Sequence, residues 1–344
     1  MSLPKTQVGY GYVDGATEIV KFNDLPVPIP QGKQVLLKIE AAGLCHSDIN
    51  ILGLPNAFSD KFVMGHEIAG QIAMVGDDLK DSEVFQEGKR FCVTIVKPCE
   101  ICKPCRQGIE NGCVTRMGYG INSDGGFQEY LLIDNIKTLI PIPDNVSYAE
   151  AAVATDSVLT PYHAISKVQS DMKPTSKVLI IGAGGLGLNA LQIVKNYGCH
   201  VVVTDKKAEL GEKALKLGAD EFIHDLNTTF DHEPESFDVI FDFCGYRTTF
   251  ELAQKFVATG GKIVMIGLGN YKLQLRNFDM ATRSVTLFFN FGGVGREQEE
   301  CLRWIEKGIV KPAIKMAPLH ELPLYMKRIN EGKVEGRIVF KPKL

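Results

Sequence analysis

The sequence predicts an α/β protein, a doubly wound parallel sheet joined to a β-rich domain that carries a cysteine lobe. Three observations point there. From Lys177 onward short apolar runs alternate with helical stretches, the pattern of parallel sheets, whose strands are joined by helical crossovers. Before about residue 144 the chain reads instead as short strands divided by glycine and proline. Four of the nine cysteines, Cys99, Cys102, Cys105 and Cys113, fall within fifteen residues. At 344 residues the chain is too long for one ordinary core, so two domains are expected.

Bulk properties narrow the function classes. Hydrophobic residues at 45% and charged residues at 23% are globular values. A net charge of −3 gives no general attraction to nucleic acid or to an anionic membrane. No apolar run approaches the roughly 20 residues of a membrane span. The opening MSLPKTQVGY has neither signal-peptide nor transit-peptide layout, so a cytoplasmic protein is expected.

The elements follow in order. Strands are expected at 34–41, 68–75, 90–96 and 127–133, with Pro26, Pro28 and Pro30 keeping an early stretch irregular. Ser147 and Glu150 have capping-box spacing ahead of an Ala-rich segment, which predicts a helix start. A buried strand at 177–181 leads through a Gly-rich turn into a helix running toward Asn196. A strand at 200–204 and a helix at 208–217, ended by Gly218, come next. Apolar runs at 238–243, 262–266 and 286–289 supply further strands, and the tail ends in one at 336–341. Neither internal repeats nor low-complexity segments occur.

The Gly-rich turn reads Gly182-Ala-Gly184-Gly185-Leu186-Gly187. Its glycines allow a tight turn, close approach of backbone to a pyrophosphate, and close helix–strand packing. Free N–H groups at the helix start then meet the phosphates. Glycine-rich turns are common by themselves, but here strand, turn, helix and second strand fall in order. Asp205 ends that second strand, about 20 residues on, where an acid accepts ribose hydroxyls and repels a 2′-phosphate. NAD(H) is therefore favoured over NADP(H), a preference that Lys206 and Lys207 soften. A helix cap is the plainer role for Asp205.

Clustered thiols in a chain of this size point to metal rather than to disulfides. The spacing Cys99-x2-Cys102-x2-Cys105-x7-Cys113 lets one loop wrap a zinc ion, and four thiolates close the tetrahedral site to substrate. The spacing fits common iron–sulfur patterns poorly; free surface thiols are the plain alternative. Elsewhere, GLCHSD (43–48) and GHE (65–67) place Cys45 and His66 after predicted strands and loops. Both have ordinary readings, a small buried hydrophobe and a hydrogen-bonded core histidine. Spacing alone does not bring them together.

Taken with the cysteine cluster, GAGGLG (182–187) and the terminal GRIVF (336–340), these motifs run from end to end of the chain. The sequence resembles the zinc-containing medium-chain dehydrogenase/reductase (alcohol dehydrogenase) family. In motif it is nearest to the yeast and bacterial secondary-alcohol dehydrogenases, or carbonyl reductases. The resemblance implies a Rossmann dinucleotide domain at 153–295 and a GroES-like catalytic domain at 1–152, completed by 296–344. It implies two zinc ions per subunit, one catalytic and one structural. Alcohol dehydrogenases are themselves the standard instance of a catalytic zinc held by two cysteines and a histidine. By this resemblance Cys45 and His66 are ligands, and Asp156 stands where many relatives have the second cysteine. A carboxylate keeps the same ligand charge; a helix cap is the other role open to it.

The same resemblance makes Glu67 an alternative ligand, Ser47 the first hydroxyl of a proton relay and Asp48 the carboxylate that orients His66. His46 and Arg337 match cofactor-phosphate contacts, and Thr160 matches a residue packing on the nicotinamide. Ile95, Leu268 and Tyr119 are expected along the substrate and nicotinamide cleft. Many relatives end the relay in a histidine three residues after the serine; Asn50 stands there instead, and an amide does not titrate near neutrality. The expected activity is hydride transfer between a small secondary alcohol or ketone and NAD(H), in a homo-dimer or homo-tetramer with strands near 286–290 at its contact. Zinc dehydrogenases of primary alcohols or polyols share these motifs. A non-catalytic zinc ribbon contacting nucleic acid through Lys97, Lys103 and Arg106 would leave the acidic balance and the dinucleotide fingerprint unexplained.

Overall fold

The computed structural model describes residues 3–53, 59–225 and 234–342. The chain divides into two compact units: 1–159 with 293–307 and 312–344, and 160–292 with 308–311. The first unit thus recovers two later segments of the chain.

In the first unit a seven-stranded sheet runs in the order Ile314–Pro318, Arg337–Lys341, Val35–Leu44, Glu67–Val75, Arg90–Val93 and Leu139–Pro141, with Tyr130–Ile133 also pairing Val35–Leu44. A smaller sheet orders Val20–Pro26, Thr6–Val13 and Lys61–Val63. Leu37, Phe62, Met64, Ile68, Phe91, Phe127 and Phe340 form the buried core; Phe127 and Phe340 meet edge to face with centroids 6.0 Å apart, a favoured aromatic geometry. Leu37, Ile68, Phe91 and Phe340 are carried by strands of the larger sheet, and Val35–Leu44 at its centre is buried along nearly its whole length.

The predicted strand at 90–96 stops at Val93, where the chain leaves toward the cysteine lobe. The strand predicted at 127–133 begins only at Tyr130, because Phe127 packs against Gly65, where a Cβ would lie 2.7 Å from its ring. Ser147 forms the expected capping box, its Oγ accepting the Glu150 N–H at 3.2 Å while Glu150 Oε2 accepts the Ser147 N–H at 2.9 Å. Such a cap contributes about 1 kcal/mol. The helix it starts, Tyr148–Val153, then widens into a π-helical turn, Ala154–Val158.

The second unit holds a six-stranded, fully parallel sheet. Its order is Glu221–Ile223, His200–Thr204, Lys177–Ile181, Phe237–Asp242, Val257–Met265, Thr286–Phe289. Numbered along the chain this is 3-2-1-4-5-6, the doubly wound order, whose ligand crevice opens where strands 1 and 4 diverge. The helix Gly185–Lys195 follows strand 1 and buries Leu188, Leu191, Ile193 and Val194. Helix Arg247–Phe256 buries Phe250, Ala253 and Phe256, at the three-residue spacing of one face. The predicted helix at 208–217 splits into a 3-10 turn, Ala208–Leu210, and a short helix from Gly211, whose missing side chain lets Phe222 pack close. Among the described residues no helix is long and apolar enough to cross a membrane.

Candidate functional site

Two clusters of metal-ligand side chains lie in the first unit. Cys99, Cys102, Cys105 and Cys113 bring their sulfurs within 4.8 Å of one another. The wrapping is local. Cys102 caps the one-turn helix Lys103–Arg106, with Pro104 in its first turn, and Glu100 and Gly108 take left-handed conformations that reverse the loop. The Cys99 N–H donates to Cys113 Sγ at 3.3 Å, and Thr115 Oγ1 lies 3.2 Å from the same sulfur. Burial raises the Cys113 thiol, but these hydrogen bonds outweigh it and bring it down to about 6, favouring the thiolate that binds zinc. Four protein donors leave no place for a substrate.

The second cluster is Cys45, His66 and Asp156, whose donor atoms also lie within 4.8 Å of one another. Cys45 ends strand Val35–Leu44 and caps the short helix His46–Leu52. His66 precedes strand Glu67–Val75. Asp156 sits in the π-helical turn. Cys45 Sγ donates to Asp156 Oδ2 at 3.1 Å, and His66 Nε2 is 3.8 Å from the same oxygen. The structure thus brings together three residues spread over 112 positions, all of them buried.

Asp48 ties two of the three in place. Its Oδ2 accepts the Cys45 N–H at 2.9 Å, and its Oδ1 lies 3.2 Å from His66 Nδ1. That contact fixes the ring so that Nε2 faces the cluster, the usual support for a ligating histidine. Ser47 Oγ is hydrogen-bonded to His66 Nε2 at 3.3 Å. His46 and Asn50 are exposed on the same helix.

Glu67 and Arg337 complete the pocket. Arg337 Nη2 pairs with Glu67 Oε1 at 3.0 Å and reaches Asp156 Oδ2 at 3.4 Å, while Nη1 donates to the Leu44 carbonyl at 3.2 Å. Arg337, expected to contact cofactor phosphate, has its buried guanidinium engaged with the acids of this cluster. Two buried carboxylates, Glu67 and Asp156, face this single guanidinium, and a third, Asp48, lies behind His66. Burial pushes the Glu67 carboxyl up to about 8, Arg337 opposing and Asp156 adding to the rise. A pocket so short of positive charge, with a thiol, an imidazole nitrogen and a carboxylate converging on one point, fits a divalent zinc ion held by three protein groups with a fourth position left open.

Sequence reasoning missed several glycines that make the pocket possible. Gly43 stands opposite Glu67 in the sheet, and a Cβ there would lie 1.9 Å from Glu67 Oε2. Gly120 and Gly125 press on Gly65, each with its hypothetical Cβ 2.2 Å from the Gly65 carbonyl oxygen, and the Gly126 N–H donates to that oxygen at 2.7 Å. The backbone leading into His66 is gripped from one side by glycines alone. The four glycines between 118 and 126 were the available signal.

Tyr119, expected along the cleft, lies in the core of the first unit. It is fully buried, donates its hydroxyl to Asp134 Oδ1 at 2.8 Å, and lies under Lys97 Nζ, 4.1 Å from the ring centroid. These contacts anchor the cysteine lobe on the core. Ile95 is half-buried, its carbonyl accepting the Tyr119 N–H at 3.0 Å.

In the second unit Gly182 has φ of 99°, the left-handed turn the motif needs. A Cβ on Gly187 would lie 1.8 Å from the Gly182 carbonyl oxygen, whereas one on Gly184 would meet nothing within 4 Å. Gly185 and Leu186 open the helix after them. Asp205 holds the turn, its Oδ2 accepting the Ala183 N–H at 2.7 Å and its Oδ1 the Lys207 N–H at 2.9 Å. Thr160 is buried, with its carbonyl accepting from Asn290 Nδ2 at 3.1 Å, and Leu268 is 68% exposed.

Known proteins share this arrangement. The sequence profile of the alcohol dehydrogenase GroES-like domain matches residues 31–144, and that of the zinc-binding dehydrogenases matches 185–307. An alcohol dehydrogenase of Geobacillus stearothermophilus is 32% identical over 90% of this chain and 92% of its own length. An NAD-dependent alcohol dehydrogenase of Sulfurisphaera tokodaii is 32% identical over 94% and 96%. The solved structure of an acetophenone reductase from Geotrichum candidum, in complex with NAD, superposes with a TM-score of 0.91 at 35% identity, covering 99% of this chain and 98% of that one. With profiles, relatives and fold in agreement over nearly its whole length, the chain belongs to the zinc-containing medium-chain alcohol dehydrogenase family.

Proposed function

We propose that this protein is a zinc-dependent alcohol dehydrogenase and ketone reductase exchanging a hydride between a secondary alcohol and NAD(H). The observation that carries the reading is the three-donor set Cys45, His66 and Asp156, which leaves a metal one position for substrate where the four-cysteine site leaves none. When bound, zinc supplies Lewis acidity toward the substrate oxygen, and the nicotinamide accepts or returns the hydride.

The chain's own residues do the rest. Cys45, His66 and Asp156 hold the ion, and Asp48 keeps the first two aimed. Ser47, beside His66 Nε2, is the hydroxyl that passes the substrate proton onward. Asn50 cannot titrate, so the chain offers no ionisable side chain three residues after Ser47 to take that proton onward. Glu67, held by Arg337, is the reserve ligand. Asp205 favours NAD(H), and the open face of Gly184 admits the pyrophosphate. His46 for cofactor phosphate, Thr160 and Leu268 for the nicotinamide, and Ile95 for the substrate stay as assigned by family resemblance.

The secondary-alcohol preference draws support from Asp156 and from the ketone-reducing relative of Geotrichum candidum. A homo-oligomer is supported by Thr286–Phe289, an edge strand of its sheet, and by exposed Phe289 and Phe291 beside it. A reducing, cytoplasmic setting suits nine unpaired cysteines. The test is an NADH-coupled panel of primary alcohols, secondary alcohols and matching ketones, with and without a chelator. Turnover fastest with secondary alcohols and ketones, and abolished by the chelator, is expected. Chelator-resistant turnover, or fewer than two zinc equivalents in active protein, would refute the reading.

A further inference from the structure

Asp156 stands in the single π-helical turn among the described residues, Ala154–Val158. In this turn the Leu159 N–H bonds to the Ala154 carbonyl five residues back, so one extra residue is accommodated before the α-helix Leu159–Ser166 resumes. Each residue turns an α-helix by about 100°. Removing the insertion would therefore swing Asp156 off the line to Cys45 and His66. Such insertions are rare, and they concentrate where a side chain has to be aimed.

The residues on either side of Asp156 both carry hydroxyls, and both are fully buried. Thr155 Oγ1 donates to the Ala152 carbonyl at 2.7 Å, and Ser157 Oγ donates to the Val153 carbonyl at 2.9 Å. These carbonyls lie in the α-turn that the π register interrupts. Side-chain donors of this kind bend and widen a helix. Were only packing required, Val at 155 and Ala at 157 would fill similar space without burying a polar atom. The hydroxyls point to the backbone, and the backbone points Asp156.

We propose that Thr155 and Ser157 are positioning residues for Asp156, their hydroxyls holding the wide turn that aims its carboxylate at Cys45 and His66. The inference rests on the reading of Cys45, His66 and Asp156 as a zinc site. It adds residues that touch neither metal nor substrate.

The experiment compares zinc-loaded wild type with Thr155→Val, Ser157→Ala, the double variant, and the conservative Thr155→Ser and Ser157→Thr. Chelator competition measures the two zinc equivalents separately, and cobalt substitution reports ligand geometry through its visible absorption. The hydroxyl-deleting variants are expected to hold one equivalent roughly 10- to 100-fold more weakly, the range for supporting partners of metal ligands. Their cobalt spectrum should be altered, and the four-cysteine equivalent unmoved. The conservative variants should restore both readouts. Wild-type affinity and spectrum in the single and double deletions would overturn the proposal, as would loss of both equivalents in step with unfolding. Asp156→Ala separates the two layers: unchanged retention of both zinc ions there would defeat the ligand reading itself, whatever the hydroxyls do.

Discussion

The two metal-ligand clusters of the first unit are built in opposite ways. Four cysteines enclose one point from a single fifteen-residue loop. The three-donor set is assembled from a strand end, an inter-strand loop and a π-helical turn, 21 and 90 residues apart in sequence. The first is complete and closes on itself, so it can only hold structure. The second depends on the long-range fold of the first unit, is short of positive charge, and offers three donors rather than four. Locality goes with structure here, and long-range assembly with chemistry.

The comparison breaks most sharply at Cys45. Cys45→Ala removes one donor of three, so one zinc equivalent should be lost while the four-cysteine equivalent stays. Since Lewis-acid activation contributes several kcal/mol, kcat/KM for a secondary alcohol should fall about 10³-fold or more, at tenfold per 1.4 kcal/mol. The melting temperature should barely move. A Cys45→Ala enzyme working at full rate would erase the distinction between the clusters.

Cys102→Ser is the mirror experiment. Losing the loop's metal should cost the first unit about 3 kcal/mol, lowering the melting temperature by roughly 6 to 12 °C. Below the new transition, kcat should change less than tenfold. Calorimetry with parallel kinetics checks this; a Cys102→Ser protein as stable as wild type but inactive would reverse the two roles.

The contrast also explains what the sequence disclosed. The cysteine spacing, the GAGGLG turn and the Ser147–Glu150 cap are local, because a few neighbouring residues carry their whole geometry. So are the β–α alternation and its parallel sheet. Cys45 and His66 were only candidates until family resemblance linked them, since no local rule joins positions 45, 66 and 156. Nor does a local pattern show where the Arg337 and Tyr119 side chains turn. Arg337 turns inward to Glu67, a partner far away in sequence, and Tyr119 into the core toward Asp134, fifteen residues on. The π-helical turn left no mark in apolar periodicity, because every residue of it is buried.

Asp48 sharpens the comparison, because it touches two residues of the three-donor set. Asp48→Asn keeps the size but removes the charge behind His66. The weaker zinc equivalent should dissociate 10- to 100-fold more readily in chelator competition. An unchanged affinity would mean that the surrounding glycines and strand ends position His66 without it.

The smallest effects extend the argument to the second unit, where Gly184 and Gly187 belong to one local motif yet do different things. Gly187→Ala places a methyl 1.8 Å from the Gly182 carbonyl oxygen, so helix and strand have to separate, at a cost of about 1–3 kcal/mol in stability. Gly184→Ala meets no protein atom within 4 Å, and its φ of −76° suits any residue. It should leave stability within about 0.5 kcal/mol of wild type. If Gly184 faces the pyrophosphate as proposed, its methyl would crowd the dinucleotide, and NAD binding should weaken about tenfold, or ~1.4 kcal/mol. Calorimetric melting beside fluorescence titration with NADH separates the two. If Gly184→Ala unfolded early while binding NADH normally, the turn would be a packing device, and the phosphates would have to be held elsewhere.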